Sequence, residues 1–273
     1  MVIIDAAFEG KPIPCRVIDA HTHIGPYYLN GWYQKYGQTS VSSLVQMLDH
    51  LGVDCIVTAP HKMVQGRMQE ANLEAMQATE KFPGRVFAYI SIVPQCGKDE
   101  VRTELEMYRE NPAFLGLKLL PGYHGDLLQP EYEYAMDFAD EIACPVLCHE
   151  WGDDPPRSSI LKALKTRNRM KFIVAHQGGG SAADTRDCLP IILNHENCWM
   201  ELCGSIYNEY SVDDFVEMAG EEKIIFGTDC INLDPRYELG RVALSPLPDH
   251  VKESIFANNF LGLLKGSGMG QIG

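Results

Sequence analysis

The stretch Val17-Ile18-Asp19-Ala20-His21-Thr22-His23-Ile24-Gly25 decides how the chain folds. It opens as a near-continuous apolar run, which suits a strand buried on both faces of a parallel sheet. It ends on His21-Thr22-His23 and not on a glycine-rich phosphate turn. An open doubly wound sheet usually carries G-x-G-x-x-G or a Walker sequence near its first strand, and this chain has neither. Seven similar runs follow: Cys55 to Pro60, Val86 to Pro94, Phe114 to Pro121, Pro145 to Trp151, Lys171 to Gly178, Cys198 to Gly204 and Lys223 to Cys230. Between them the apolar period becomes helical, as at Leu44, Leu48 and Leu51, at Val101, Leu105 and Tyr108, and at Tyr134, Phe138 and Ile142. Val251, Ile255 and Phe256 continue the pattern near the end. No linker, low-complexity tract or charge block interrupts the alternation. It predicts a single-domain α/β chain, a (β/α)8 TIM barrel spanning residues 1–273.

Several helix ends carry their own signals. Asp154 before Pro155 reads as an N-cap with proline at the first helical position. Ser211 with Asp214 resembles a capping box, and Gly52 and Gly220 stand where helices stop.

The chain has 273 residues, ample for a core without staples. Its 23 Lys and Arg against 37 Asp and Glu leave a net charge of −14, which argues against a phosphate-backbone footprint and hence nucleic acid. The nine cysteines are odd in number and include no C-x-x-C pair, so neither a disulfide framework nor a zinc ribbon is expected. Met1 to Glu9 contains Asp5 and Glu9 and does not read as a signal peptide. No apolar run approaches the roughly 20 residues that cross a bilayer. The expectation is a reduced, cytoplasmic protein with no membrane partner, acting on a small molecule.

Residues two apart on a strand point to the same side, so His21 and His23 both face the barrel lumen. Alone, an H-x-H is a weak signal. Strand five, however, ends Cys148-His149-Glu150, strand six Ala175-His176-Gln177, and strand eight Thr228-Asp229-Cys230. Each places a metal-competent group at the strand end where barrel enzymes build their sites. Lys118, in Leu117-Lys118-Leu119, faces inward if its leucine neighbours face outward. Any one of these histidines alone reads as a hydrogen-bonded core residue. Convergence of all of them on one rim favours a metal site.

This set resembles the signature of the amidohydrolase superfamily. VIDAHTHIG, GLKLLPGYHG, PVLCHEWG, FIVAHQGG, IIFGTDC and the closing ANNFLGLL are similar to its amidohydrolase-related (amidohydrolase 2) branch, from about Val17 onward. The resemblance implies that His21, His23, His149 and Asp229 hold a divalent ion, most plausibly Zn2+, with Asp229 also the base that takes a proton from activated water. It implies that His176 either binds a second ion or polarises the substrate, and that Lys118 bridges two ions if carboxylated. One ion is expected over two. Leu120 departs from the branch, which often has histidine there. The family habit implies a homo-oligomer, often a dimer.

Tyr27, Tyr28, Trp32, His61, His124, Trp151 and Arg236 follow strand ends and are weaker candidates for a pocket mouth. Gly178-Gly179-Gly180 reads as close packing in preference to a phosphate cradle, and His50, His195 and His250 as helix residues without a role. Cys148 and Cys203 read as packed thiols, since the sequence shows no partnered base. G-x-S-x-G and H-E-x-x-H are absent. The reading is a metal-dependent hydrolase of a small ester, lactone or amide. The alternative is a non-oxidative decarboxylase of an unsaturated or aromatic acid, which relatives in the branch resemble. Those relatives tend to carry longer loop insertions, and the compactness of this chain favours hydrolysis. A barrel that binds metal without catalysis ranks third.

Overall fold

Apolar strands that alternate with amphipathic helices can bury both sheet faces only by closing on themselves or by stacking layers, and here the sheet closes. The computed structural model describes residues 2–26, 40–204 and 210–273. Its strands are β1 (Ile18–Thr22), β2 (Cys55–Thr58), β3 (Val86–Ser91), β4 (Phe114–Leu119), β5 (Pro145–Cys148), β6 (Lys171–Val174), β7 (Cys198–Glu201) and β8 (Ile224–Ile225). All eight pair in parallel in chain order. A Thr22–Cys230 bridge and the bond from Ala20 N to Phe226 O join the end of β8 to β1. The result is a nearly closed (β/α)8 barrel in a single domain, with each sequence run beginning at or within a residue of its strand.

Two apolar layers hold it. The outer one joins Leu117, Leu119, Val146, Phe172 and Met200 to the helices, for example to Val101, Leu105 and Tyr108 of helix Lys98–Arg109. Each fully buried side chain of this size contributes about 2 kcal/mol. The inner layer fills the lower lumen with Ile18, Ala20, Val57, Tyr89, Leu115, Leu147 and Ile173, and Phe260 and Leu263 of the last helix close its floor. Within the lumen, polar side chains are thereby gathered at the C-terminal rim.

The predicted helix ends mostly hold. Ser211 and Asp214 form a reciprocal capping box, and Gly52 adopts the left-handed conformation at φ 75°. Asp154 is a correction: the helix starts at Arg157, behind Pro156. The Asp154 backbone instead pairs with Trp151 in a small antiparallel bridge, which removes it from the cap position. Among the described residues, no helix is long and apolar enough to cross a membrane.

Candidate metal centre

Strict alternation would leave some site residues facing the wrong way, and the backbone corrects this locally. Ile18 and Ala20 belong to the lumenal cluster, yet His21 and His23 also turn toward the site. Between Asp19 and Thr22 the β1–β2 register shifts, and this irregularity re-aims the histidines. On β4 the register shifts again after Ala88–Phe114, so Leu115 and then Lys118 face inward. As the sequence predicts, Leu117 and Leu119 face outward. Beyond β6 and β8, His176 (φ 57°) and Asp229 (φ 54°) take left-handed backbone conformations. For such residues this costs about 1–3 kcal/mol each, which the surrounding packing must sustain.

These turns bring His21, His23 and Asp229 into one tight group. The His23 Nε2 lies 3.1 Å from Asp229 Oδ1, and His21 Nε2 lies 3.8 Å from the same oxygen. His23 Nδ1–H donates to the Ala59 carbonyl at 2.7 Å. His21 Nδ1–H donates to Glu201 Oε2 at 3.0 Å, and Lys118 Nζ donates to His21 Nε2 at 2.7 Å. Asn232 Nδ2 donates to Asp229 Oδ1 at 3.0 Å, and its amide oxygen lies 2.9 Å from His61 Nε2. Asp19 ties the two strand ends together, accepting from His21 N at 3.1 Å and Thr228 Oγ1 at 2.6 Å.

Burial alone would raise the Asp229 carboxyl, but His23, His21 and His176 beside it hold it well below the usual carboxylate range. Burial, joined by the neighbouring Lys118, pushes the His21 imidazole far below its ordinary value. Burial likewise lowers His149, aided by His176, and takes both His176 and His61 down to about 4. Burial also lowers the Lys118 ammonium. The site therefore sets neutral imidazoles around an ionised carboxylate.

That arrangement tests whether a metal fits. His23 Nδ1 spends its hydrogen on Ala59, and its Nε2 faces a carboxylate oxygen at 3.1 Å. Two acceptors at that separation attract only by sharing a proton or a cation. Imidazole nitrogens with carboxylate oxygen form a donor set suited to a divalent ion. The residues fit.

His149 and His176 stand slightly apart. His149 joins neither tight group, but its Nδ1 lies 3.0 Å from His176 Nε2, and its ring lines the cavity above Asp229. His176 groups instead with His21, Glu201 and Cys203. Cys203 is a packed thiol, but it has partners that the sequence did not show: its Sγ lies 2.9 Å from His176 Nδ1 and 3.0 Å from Glu201 Oε2. Burial raises that thiol well above its ordinary value, so it keeps its hydrogen.

A cavity of about 450 Å³ opens over this floor, walled by Tyr123, Trp151, Asp154, Asn232 and Leu233. His61 lines a smaller cavity beside it, together with His23 and Asp229, and stacks on His23 at 4.9 Å. His124 lies elsewhere, bonded to Tyr132 and Met63, and Arg236 pairs with Asp234. Tyr27, Tyr28 and Trp32 fall outside the described residues. Cβ atoms at Gly178, Gly179 and Gly180 would come within 2.5, 2.6 and 2.7 Å of Cys188, Asp184 and Trp151, which supports close packing. Sequence reasoning missed Asp19, Glu201 and Asn232, and gave Cys203 no partner. The lone acid ending the apolar run Cys198-Trp199-Met200-Glu201 is a signal of the same kind as Asp229.

A family model described as "Amidohydrolase" matches residues 18–261. No curated protein sequence matches the chain. Among solved structures, a 2,6-dihydroxybenzoate decarboxylase from Rhizobium is similar at TM-score 0.71 and 14% identity, covering 92% of this chain and 98% of its own. A dihydroxybenzoic acid decarboxylase from a Polaromonas species, with bound manganese, is similar at TM-score 0.69 and 12% identity, covering 92% and 97%. A probable 2-pyrone-4,6-dicarboxylic acid hydrolase from Acinetobacter baumannii is similar at TM-score 0.66 and 14% identity, covering 91% and 99%.

Proposed function

The chain belongs to the amidohydrolase family, and on that premise we propose that it hydrolyses a small ester, lactone or amide with the aid of one divalent ion, zinc by preference. His21, His23, His149 and Asp229 are the ligands in this reading. A divalent cation supplies Lewis acidity there, making water a stronger nucleophile near neutral pH and polarising a carbonyl. Asp229 accepts the proton of the attacking water at its carboxylate and returns it to the leaving group. Tyr123 and Trp151 wall the cavity and hold the substrate over that carboxylate. His176 orients His149, because its ring nitrogens already meet Cys203 and His149. Lys118 serves as a donor to His21, which favours one ion over two.

The observation that carries the reading is the ionised Asp229 at the cavity floor, with the His21, His149 and His176 imidazoles of the site kept neutral by burial. Such a site accepts protons more readily than it delivers one to carbon. Decarboxylation is the second reading, favoured by the two aromatic walls, which suit a planar ring, and by the similar decarboxylases. Chain length no longer separates the two, since those decarboxylases are matched over 97–98% of their own length.

Elemental analysis of the purified protein is expected to give close to one divalent ion per chain; two would restore Lys118 as a carboxylated bridge. A panel of esters, lactones and amides beside hydroxybenzoates then separates the reactions. Hydrolysis without carbon dioxide release is expected, and release of carbon dioxide from the acids would transfer the site to the second reading.

A further inference from the structure

Glu201 and Cys203 lie behind the cavity, where no substrate reaches, yet they join three of the site's imidazoles. Both residues are fully buried. Glu201 Oε1 accepts from Cys203 N at 2.7 Å. Its Oε2 accepts from His21 Nδ1 at 3.0 Å, His176 N at 3.2 Å and Cys203 Sγ at 3.0 Å. Burial raises this carboxyl, but backbone N–H groups that can only donate, from Cys203 and His176, occupy its two oxygens and oppose that rise, so the group acts as the acceptor.

Hydrogen positions then follow in sequence. His21 must carry its hydrogen on Nδ1, and its Nε2 keeps the lone pair that faces Lys118 Nζ. The Cys203 sulfur, 3.2 Å from His21 Nδ1, shares that hydrogen as a weak second acceptor. With the thiol hydrogen directed at Glu201, the sulfur can meet His176 Nδ1 at 2.9 Å only as an acceptor. His176 is therefore also protonated on Nδ1, and its bare Nε2 accepts from His149 Nδ1 at 3.0 Å. His149 in turn keeps its lone pair on Nε2.

We propose that Glu201, directly and through the Cys203 thiol, fixes His21, His176 and His149 as Nδ1–H tautomers, so that His21 and His149 each present an Nε2 lone pair to the site. Both are positioning residues. The tautomer assignment needs only the hydrogen bonds, while its consequence for metal affinity rests on the metal site proposed above. Reversing the thiol would aim its hydrogen at His176 Nδ1, put one on His176 Nε2 and leave His149 with Nε2–H, unable to bind a cation. The quartet His21, His176, Glu201 and Cys203 could itself be read as a ligand set. Its separations of 2.9–3.2 Å are those of hydrogen bonds, and every bond has its hydrogen.

The test is nitrogen NMR on metal-free, full-length protein labelled in histidine. All three residues are expected to show pyridine-like Nε2 and pyrrole-like Nδ1. Cys203→Ala should convert His176 and His149 to tautomer mixtures while leaving His21 unchanged, and Cys203→Ser should restore the wild-type spectrum. Chelator competition should show Zn2+ affinity falling about 10- to 100-fold in Cys203→Ala and returning in Cys203→Ser. Nε2–H signals in the wild type, or a Cys203→Ala spectrum unchanged at His176 and His149, would overturn the proposal. A thiolate charge-transfer band on adding cobalt would do the same, since Cys203 would then be a ligand. The expected tautomers with unaltered affinity would uphold the relay and remove His149 from the ligand set.

Discussion

The Asp229 carboxylate receives a hydrogen bond from Asn232, lies against His23, and has its backbone in a left-handed turn. None of these features supports packing, because the side chain opens on the cavity and not on the core. Asp229→Asn keeps the shape and removes both the anionic charge and the proton acceptor. General-base catalysis accounts for about 10²- to 10⁴-fold in rate, and turnover is expected to fall by that much while the barrel stays folded. Steady-state kinetics beside a circular-dichroism spectrum check it. A variant within a few-fold of wild type would remove Asp229 from the chemistry. The neighbouring Asp19 is a different kind of acid. Burial raises its carboxyl to about 8, opposed by its Thr228 bond, and it joins β1 to the segment after β8 rather than facing substrate.

At the scale of the element, the site is built where strands stop behaving as strands. The β1 irregularity, the turn at His176 and the turn at Asp229 each redirect one functional side chain. Gly227 shows how little room this leaves: a Cβ there would run into Glu201 Oε1 and lie 2.8 Å from His21 Cβ. Gly227→Ala is expected to destabilise the fold by about 1–3 kcal/mol, and to lower metal content as it displaces both residues. The urea midpoint and metal analysis read the two effects, and a neutral variant would mean that this junction yields easily. The strand starts and the inward Lys118 were legible in the sequence, because burial on both faces leaves apolar runs and alternation. His21, His23, His149, His176 and Asp229 were legible as strand-end groups for the same reason. Their mutual arrangement was not, since a register irregularity leaves no local mark. Glu201 and the partners of Cys203 were missed because they are distant in sequence and set by barrel closure. Asp154 was misread because its local cap signal lost to a tertiary pairing with Trp151.

For the whole molecule, the choice of neutral imidazoles at the barrel rim becomes a dependence of stability on pH. In the unfolded chain each histidine takes up a proton as pH falls through about 6.5. In the folded, metal-free protein His176 and His61 wait until about 4, and burial holds His21 and His149 well below their ordinary value too. Between those limits the unfolded state binds more protons, so stability falls as the solution is acidified. Asp19 works in the opposite direction, because its raised carboxyl keeps a proton in the fold that the unfolded chain has released. Glu201 and Glu104, also raised by burial, add to that opposition. Asp229, held low, adds its own loss as pH falls from about 4 toward its folded value. With His124, which burial also lowers, five imidazoles outweigh the three opposing carboxyls once the pH is below the histidines' unfolded value, and each unmatched proton is worth about 1.4 kcal/mol per pH unit. Urea unfolding of the metal-free protein is therefore expected to show a midpoint that drops from about pH 6 to about pH 5. A midpoint that stays level or rises over that range would mean that the rim histidines are already protonated in the fold. The lone pairs assigned to the site would then not be there.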